Sequence, residues 1–280
     1  MIKDVLLPLV SYPTPVMPEA IASVAAFAGQ FGAHLKATAL EIDLGPGLYF
    51  EGADIGEFLA AETAKSHRNA EQLLAAVRAA AEQHGIACHA RIEKCAISEA
   101  GGRLVDDGRI SDLCIVPVRR GDESDRAIAE RVIFASGRPV LLLPAGASRP
   151  HVGAMERVAI AWDSSRSAAR ALADAMPLLR RAAHIRILTV SNDKPLESFR
   201  TAIDLAAHLS HHAITVEIDE VRTARGQTIG DTFRSYVSRH AIDLLVMGAY
   251  GHTRLREFVL GGATRSILTD PPCWTLLSHG

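Results

Sequence analysis

Four short apolar runs occur twice in this chain, in the same order. Asp4–Val10 (DVLLPLV) matches Arg157–Asp163 (RVAIAWD), and His34–Ile42 (HLKATALEI) matches His184–Asn192 (HIRILTVSN). Asp112–Val118 (DLCIVPV) matches Asp243–Ala249 (DLLVMGA), and Arg138–Pro144 (RPVLLLP) matches Pro272–Ser278 (PCWTLLS). Self-similarity of this kind implies that one unit has been built twice. Each run is nearly continuously apolar, the pattern of a strand covered on both faces. Segments with helical spacing lie between them: Pro18–Phe31, Leu59–His84, Ser167–Arg181, Leu196–His212, and Gln227–His240, which sets Ile229, Phe233, Tyr236 and Val237 on one face. Strands alternating with helices imply βαβ units and parallel sheets. The Pro- and Gly-bearing stretch 144–156 reads as the link between the halves. The expected architecture is therefore α/β, with tandem domains at residues 1–147 and 154–280. In the first half, Leu44–Ala61 interrupts the pattern and reads as a surface loop or flap.

The length of 280 residues suits two domains of ordinary size. A net charge of −2 leaves no surplus to attract nucleic acid or an anionic membrane as the main partner. No run is long and apolar enough to span a bilayer, and the opening MIKDVLLPLV turns polar too soon for a signal peptide. The four cysteines, Cys88, Cys95, Cys114 and Cys273, form no CxxC pair. Free thiols in a reducing cytoplasm are the simplest reading.

The stretch with the most chemistry is MGAYGHTRLREFVLGGATRS, Met247 to Ser266. It places Gly248 and Gly251 just after an apolar strand, and Gly261 and Gly262 where the next helix should start. Glycine lets backbone amides approach a ligand closely. A helix N-terminus adds unpaired N–H groups and partial positive charge, so strand, glycine loop and helix start form an anion cradle. Tight turns and close helix packing are the other common use of such glycines.

These residues resemble the universal stress protein family, whose ATP-binding members carry Gly-x2-Gly-x9-Gly-Ser/Thr after the fourth strand. Gly248, Gly251 and Gly261 match that spacing, and Gly262 stands where the family usually has Ser or Thr. Thr264 matches a hydroxyl residue that faces phosphate in the family. The AWDSS segment places Asp163 at the family's adenosine contact, and Val190 matches the position lining its adenine pocket. The resemblance spans both halves and implies a tandem form. Each domain would be doubly wound around a mainly parallel five-stranded sheet, as in the adenine-nucleotide alpha hydrolase-like fold.

The implied chemistry is binding of ATP, or a related adenine nucleotide, in the second half, with Mg²⁺ to neutralise phosphate charge. Backbone amides near Gly248, Gly251, Gly262 and Ala263 would hold the phosphates, Thr264 would add a hydroxyl, and Met247 and Gly261 complete the nucleotide-binding set. Asp163 would accept from the ribose hydroxyls, and Ala161 and Val190 would line the base slot. The absent hydroxyl at position 262 removes about 0.5–1.5 kcal/mol. Trp162, beside the site, either stacks near the base or packs. His252, Arg254 and Arg256, inside the nine-residue stretch, either reach phosphate or are solvated loop charges. No general base points to efficient catalysis, so hydrolysis would be slow at most.

The first half lacks this cradle: RRGDESDR follows its fourth apolar run and reads as a solvated loop, and PLVS replaces the Asp-bearing AWDS. It is expected to be a degenerate partner completing an intramolecular pseudo-dimer; the resemblance implies pairing through the last strands, here Val140–Leu143 and Trp274–Leu277, which suits such apolar edges. Homodimerisation of the tandem chain stays open. Asp204, His208 and His212 lie at i, i+4, i+8, with His211 adjacent, but three turns of one helix cannot all face one ion; a solvated helix end is the plainer reading. Cys88 and Cys95 bracket a strand. No Walker A, GxSxG or HExxH motif is present. The resulting reading is a cytoplasmic, nucleotide-dependent stress or signalling module. The alternatives are a scaffold or partner-binding protein with a decayed site, and an enzyme that forms adenylates and releases pyrophosphate.

Overall fold

The computed structural model describes residues 1–45, 53–96, 98–146, 155–191, 195–249 and 262–280. They fall into two compact units. One is formed chiefly by Met1–Pro117 and Glu130–Arg138, the other by Val118–Ala129, Pro139–Pro144 and Gly153–Gly280.

In the first half, strands β1 (Asp4–Val10), β2 (His34–Asp43), β3 (Cys88–Ala96) and β4 (Leu113–Arg119) alternate with helices α1 (Pro18–Phe31), α2 (Ala53–Gln83) and α3 (Ala100–Arg109). The strands lie side by side in the order β3-β2-β1-β4, all parallel. Val5–Val10 and Leu113–Val118 are buried throughout, as continuously apolar strands require. Helix α1 opens with Pro at its first position and ends at Gly32, whose φ of +55° supplies the left-handed cap. After β4 come α4 (Glu123–Ala135) and β5 (Val140–Ala145).

The second half repeats the plan with β6 (Arg157–Ala161), α5 (Arg166–Leu179), β7 (His184–Ser191), α6 (Pro195–Ser210), β8 (Glu217–Arg222), α7 (Ile229–His240), β9 (Leu244–Gly248), α8 (Gly262–Thr269) and β10 (Trp274–Ser278). Here the strand order is β5-β10-β9-β6-β7-β8. The contacts among β6 to β10 are parallel. At the edge, β5 runs antiparallel to β10, with Leu142 opposite Thr275 and Val140 opposite Leu277. The two apolar last strands singled out in the sequence thus pair with each other, which satisfies their ladder groups.

The repeat extends to single side chains. Before β4, Asp112 Oδ2 accepts from the amides of Lys3 (2.7 Å) and Asp4 (3.0 Å), fixing the start of β1. Before β9, Asp243 Oδ2 accepts from Glu156 (3.1 Å) and Arg157 (2.8 Å), fixing the start of β6. Asp112 and Asp243 open the third matching pair of apolar runs.

Three expectations are corrected. The Leu44–Ala61 excursion is not all loop, because α2 begins at Ala53, six residues before the expected Leu59; residues 46–52 lie outside the described residues. The helix was hidden because its first turns bury little: Phe58 is 62% exposed. The RRGDESDR segment is not a solvated loop. Arg119 donates to the carboxylate of Asp125 at 2.7 Å from both Nε and a terminal nitrogen, Asp125 is buried, and α4 starts at Glu123. This pairing compensates the burial of both charges and holds the Arg119 guanidinium pKa above its ordinary value. Finally, Cys88 and Cys95 do not flank a strand but stand inside β3.

Candidate functional site

In the second unit the chain runs from β6 outward through β7 to β8, then returns to lay β9 against the other side of β6. The strand order therefore reverses between β6 and β9, and open α/β sheets bind ligands at the carboxyl ends of such strands. Ala161 is the last residue of β6, Val190 the last but one of β7, and Met247 and Gly248 the last two of β9. Parallel pairing brings all four to the same sheet end. Ala161 and Val190 are half-buried and Met247 is buried.

Asp163 is exposed in the turn that leaves β6. Its Oδ1 accepts from the amide of Ser165 at 3.0 Å, and Ser164 between them has φ +60°. Ser165 is the N-cap of α5, accepting from Ala168 N at 3.1 Å. Asp163 thus stands at the head of a defined turn.

Gly248 has a packing reason to be glycine. A Cβ there would lie 2.5 Å from Ala168 N and 2.6 Å from Ser167 C, so β9 meets the first turn of α5 backbone to backbone. Gly262 differs: it opens α8, is exposed, and a Cβ there would meet nothing within 4 Å. As at any helix start, the first amides of α8, from Gly262 and Ala263, have no partner within the helix. Ala263 is half-buried and Thr264 buried. Gly251, Gly261, His252, Arg254 and Arg256 lie outside the described residues.

The donor set fits a nucleotide in kind. A helix start with open space at its first residue suits an anion, half-buried apolar residues end β6 and β7, and a carboxylate stands beside them. One polar atom at this sheet end is unaccounted for: Trp162 Nε1 is buried without a hydrogen-bond partner. These residues would hold the phosphates at α8 and the nucleoside between β6 and β7, and Mg²⁺ would supply the charge neutralisation that backbone amides cannot.

The universal stress protein family model matches residues 155–279. The second half of the chain is a universal stress protein domain. Among solved structures, a universal stress protein from Archaeoglobus fulgidus DSM 4304 is similar along its whole length: TM-score 0.65, 15% identity, 98% of each chain covered. A functionally unknown protein from Pseudomonas aeruginosa PAO1 follows at TM-score 0.56 and 12% identity, covering 98% of this chain and 92% of that one. The cytoplasmic domain of a prokaryotic cation chloride cotransporter has the fold at TM-score 0.50 and 14% identity, with 99% and 95% covered. No curated protein matches the chain. These likenesses carry the universal stress protein fold through the first half, so in fold the chain is two such domains in tandem.

In the first half, side chains of the chain itself occupy the positions that match the candidate site. At the end of β1, Ser11 is fully buried; its hydroxyl lies 2.5 Å from the Leu40 carbonyl oxygen and 2.7 Å from Ser66 Oγ on α2. Asn69 Nδ2, also on α2, donates to the Ser11 carbonyl at 2.9 Å. The helix start after the fourth strand is also occupied: Asp122 Oδ1 accepts from the amides of Ser124 (2.9 Å) and Asp125 (3.0 Å). A side-chain carboxylate takes the donors that a phosphate would need.

Sequence reasoning missed several features of the universal stress protein domain. A cavity of about 650 Å³ runs along α8, lined by Arg120, Gly262, Arg265, Ser266 and the α7 residues Asp231 and Arg234. The capping box of Thr228 and Asp231 that starts α7 was legible as T-x-x-D but unused. Edge strand β8 was missed because its residues are only half-buried or exposed. There, Asp219 accepts from Tyr236 Oη and from Arg186 at 2.8 Å, a structural network. On α6, the rings of His208 and His212 meet edge-on at 5.0 Å, and no group of three metal-ligating side chains occurs among the described residues.

Proposed function

We propose that the second domain binds ATP, or a related adenine nucleotide with Mg²⁺, at the crevice between β6 and β9, and that the chain acts in the cytoplasm as a nucleotide-dependent stress-response module. The reading rests on one juxtaposition. The strand-order reversal sets Asp163, Ala161, Val190 and Gly248 at one sheet end, and the next described element after β9 is a helix that opens at Gly262. In this reading the Asp163 carboxylate accepts from the ribose hydroxyls, Ala161 and Val190 flank the base, and the α8 amides with Thr264 take the phosphates. The first half binds no nucleotide, because Ser11 and Ser66 pair at the end of β1 and Asp122 takes the amides after β4.

Mass spectrometry of small molecules released on denaturation, with calorimetric titration of ATP–Mg²⁺, tests this. One nucleotide per chain is expected, with binding lost in Gly261→Asp and weakened in Asp163→Ala. No released nucleotide and no heat would refute it and favour a partner-binding scaffold.

A further inference from the structure

The chain has two tryptophans. Trp274, in β10, is buried. Trp162 Nε1 is the one buried side-chain nitrogen or oxygen among the described residues that lacks a hydrogen-bond partner. Such groups are rare in native proteins, and each calls for an explanation. An indole N–H only donates, so the missing partner is an acceptor.

The position of Trp162 narrows the choice. It follows directly on β6 at the strand-order reversal, and its own amide donates to Leu188 O of β7 at 2.9 Å. Its main chain thus stays paired with β7 one residue past β6, at the sheet end where β6, β7 and β9 finish. Its neighbours in sequence are Ala161, at the proposed base slot, and Asp163, at the proposed ribose contact.

We propose that the Trp162 indole N–H is a ligand-binding donor that hydrogen-bonds an acceptor on the nucleoside part of the bound nucleotide, a ring nitrogen of the base or a ribose oxygen. The proposal rests on the nucleotide reading above. It makes Trp162 a determinant of which nucleoside is held, while the phosphates remain the task of the α8 amides. Binding exchanges an unpaired buried donor for a paired one, so the N–H contributes to affinity while lowering the stability of the free protein.

The test keeps ring volume constant. Trp162 is replaced by benzothienylalanine, which carries sulfur in place of the N–H, and ATP–Mg²⁺ is titrated into both proteins by calorimetry. In parallel, Trp274→Phe leaves Trp162 as the sole tryptophan, and its fluorescence is followed during the same titration. The expected result is about fivefold to tenfold weaker binding for the sulfur analogue, thermal stability without nucleotide equal to or above that of the unmodified protein, and a Trp162 emission change that saturates with the calorimetric Kd. Equal ATP affinity in the analogue, or flat emission at calorimetric saturation, would overturn the donor role while leaving nucleotide binding intact. Absence of heat with the unmodified protein would instead overturn the nucleotide reading and this inference together.

Discussion

Gly248 at the end of β9 faces the backbone of Ala168 in the first turn of α5 so closely that a single added carbon would lie 2.5 Å from its nitrogen. The obstructing atoms are backbone, which no rotamer change can clear. Gly248→Ala should therefore destabilise the protein by about 1–3 kcal/mol, the usual cost of overpacking, seen as a lower urea midpoint at unchanged slope. Gly262→Ala should do the reverse, staying neutral or gaining up to about 1 kcal/mol, because its Cβ position is open. Equal effects at the two positions would contradict the close packing of β9 on α5.

Asp112 and Asp243 do the same work in the two halves, each holding two amides at the start of a first strand. Replacement of either by Ala leaves those amides without their acceptor and should cost about 1–3 kcal/mol. Asn retains one acceptor oxygen and should cost less. Urea denaturation followed by circular dichroism measures both series, and an Ala variant as stable as the parent at either site would remove that carboxylate from the strand-start role.

Asp231 gives α7 a pH signature. Its carboxyl is pulled down to about 2, first by the Thr228 amide, then by the Thr228 hydroxyl and Arg234. A folded pKa below the ordinary 3.8 means stability that is fully present above pH 4 and lost as pH falls from 3.8 toward 2. Carboxyl NMR titration should place its midpoint near 2, and Asp231→Asn should flatten the acid limb of the stability profile in that window. A midpoint near 4 would mean that the capping box is not formed in solution.

Cys114 lies fully buried in β4, and loss of solvation pushes its thiol far above the ordinary range, with Asp107 adding to the effect. Only the thiolate reacts with aromatic disulfide reagents. Native protein should leave Cys114 unlabelled while the half-buried Cys88 reacts slowly, and both should react in urea. Rapid native labelling of Cys114, located by peptide mapping, would show that β4 opens readily.

The repeat, the alternation of strands with helices and the pairing of the last strands were legible because buried strands need continuous apolar runs, and those runs stand out in any order-preserving comparison. Elements that bury one side weakly were not legible. The start of α2 keeps Phe58 in solvent, and β8 is half-exposed, so neither shows the contrast on which pattern reading depends. The charged segment after β4 misled for a related reason: Arg119 and Asp125 are individually solvent-loving, and only their spatial pairing allows burial.

The division at the candidate site follows the same physics. Residue order alone determined that Asp163, Val190 and Gly248 stand at or just past the ends of strands, with Gly262 at a later helix start, and hence that the first three gather at one end of a parallel sheet. Tertiary structure decided what each position is for: that Gly248 must be bare because α5 touches it, that Ser11 is sealed by Ser66 in the first domain, and that one indole nitrogen at this sheet end has no partner. Local sequence encodes which way a chain turns; whether a polar atom is satisfied depends on groups tens of residues away, and only the folded chain brings those together.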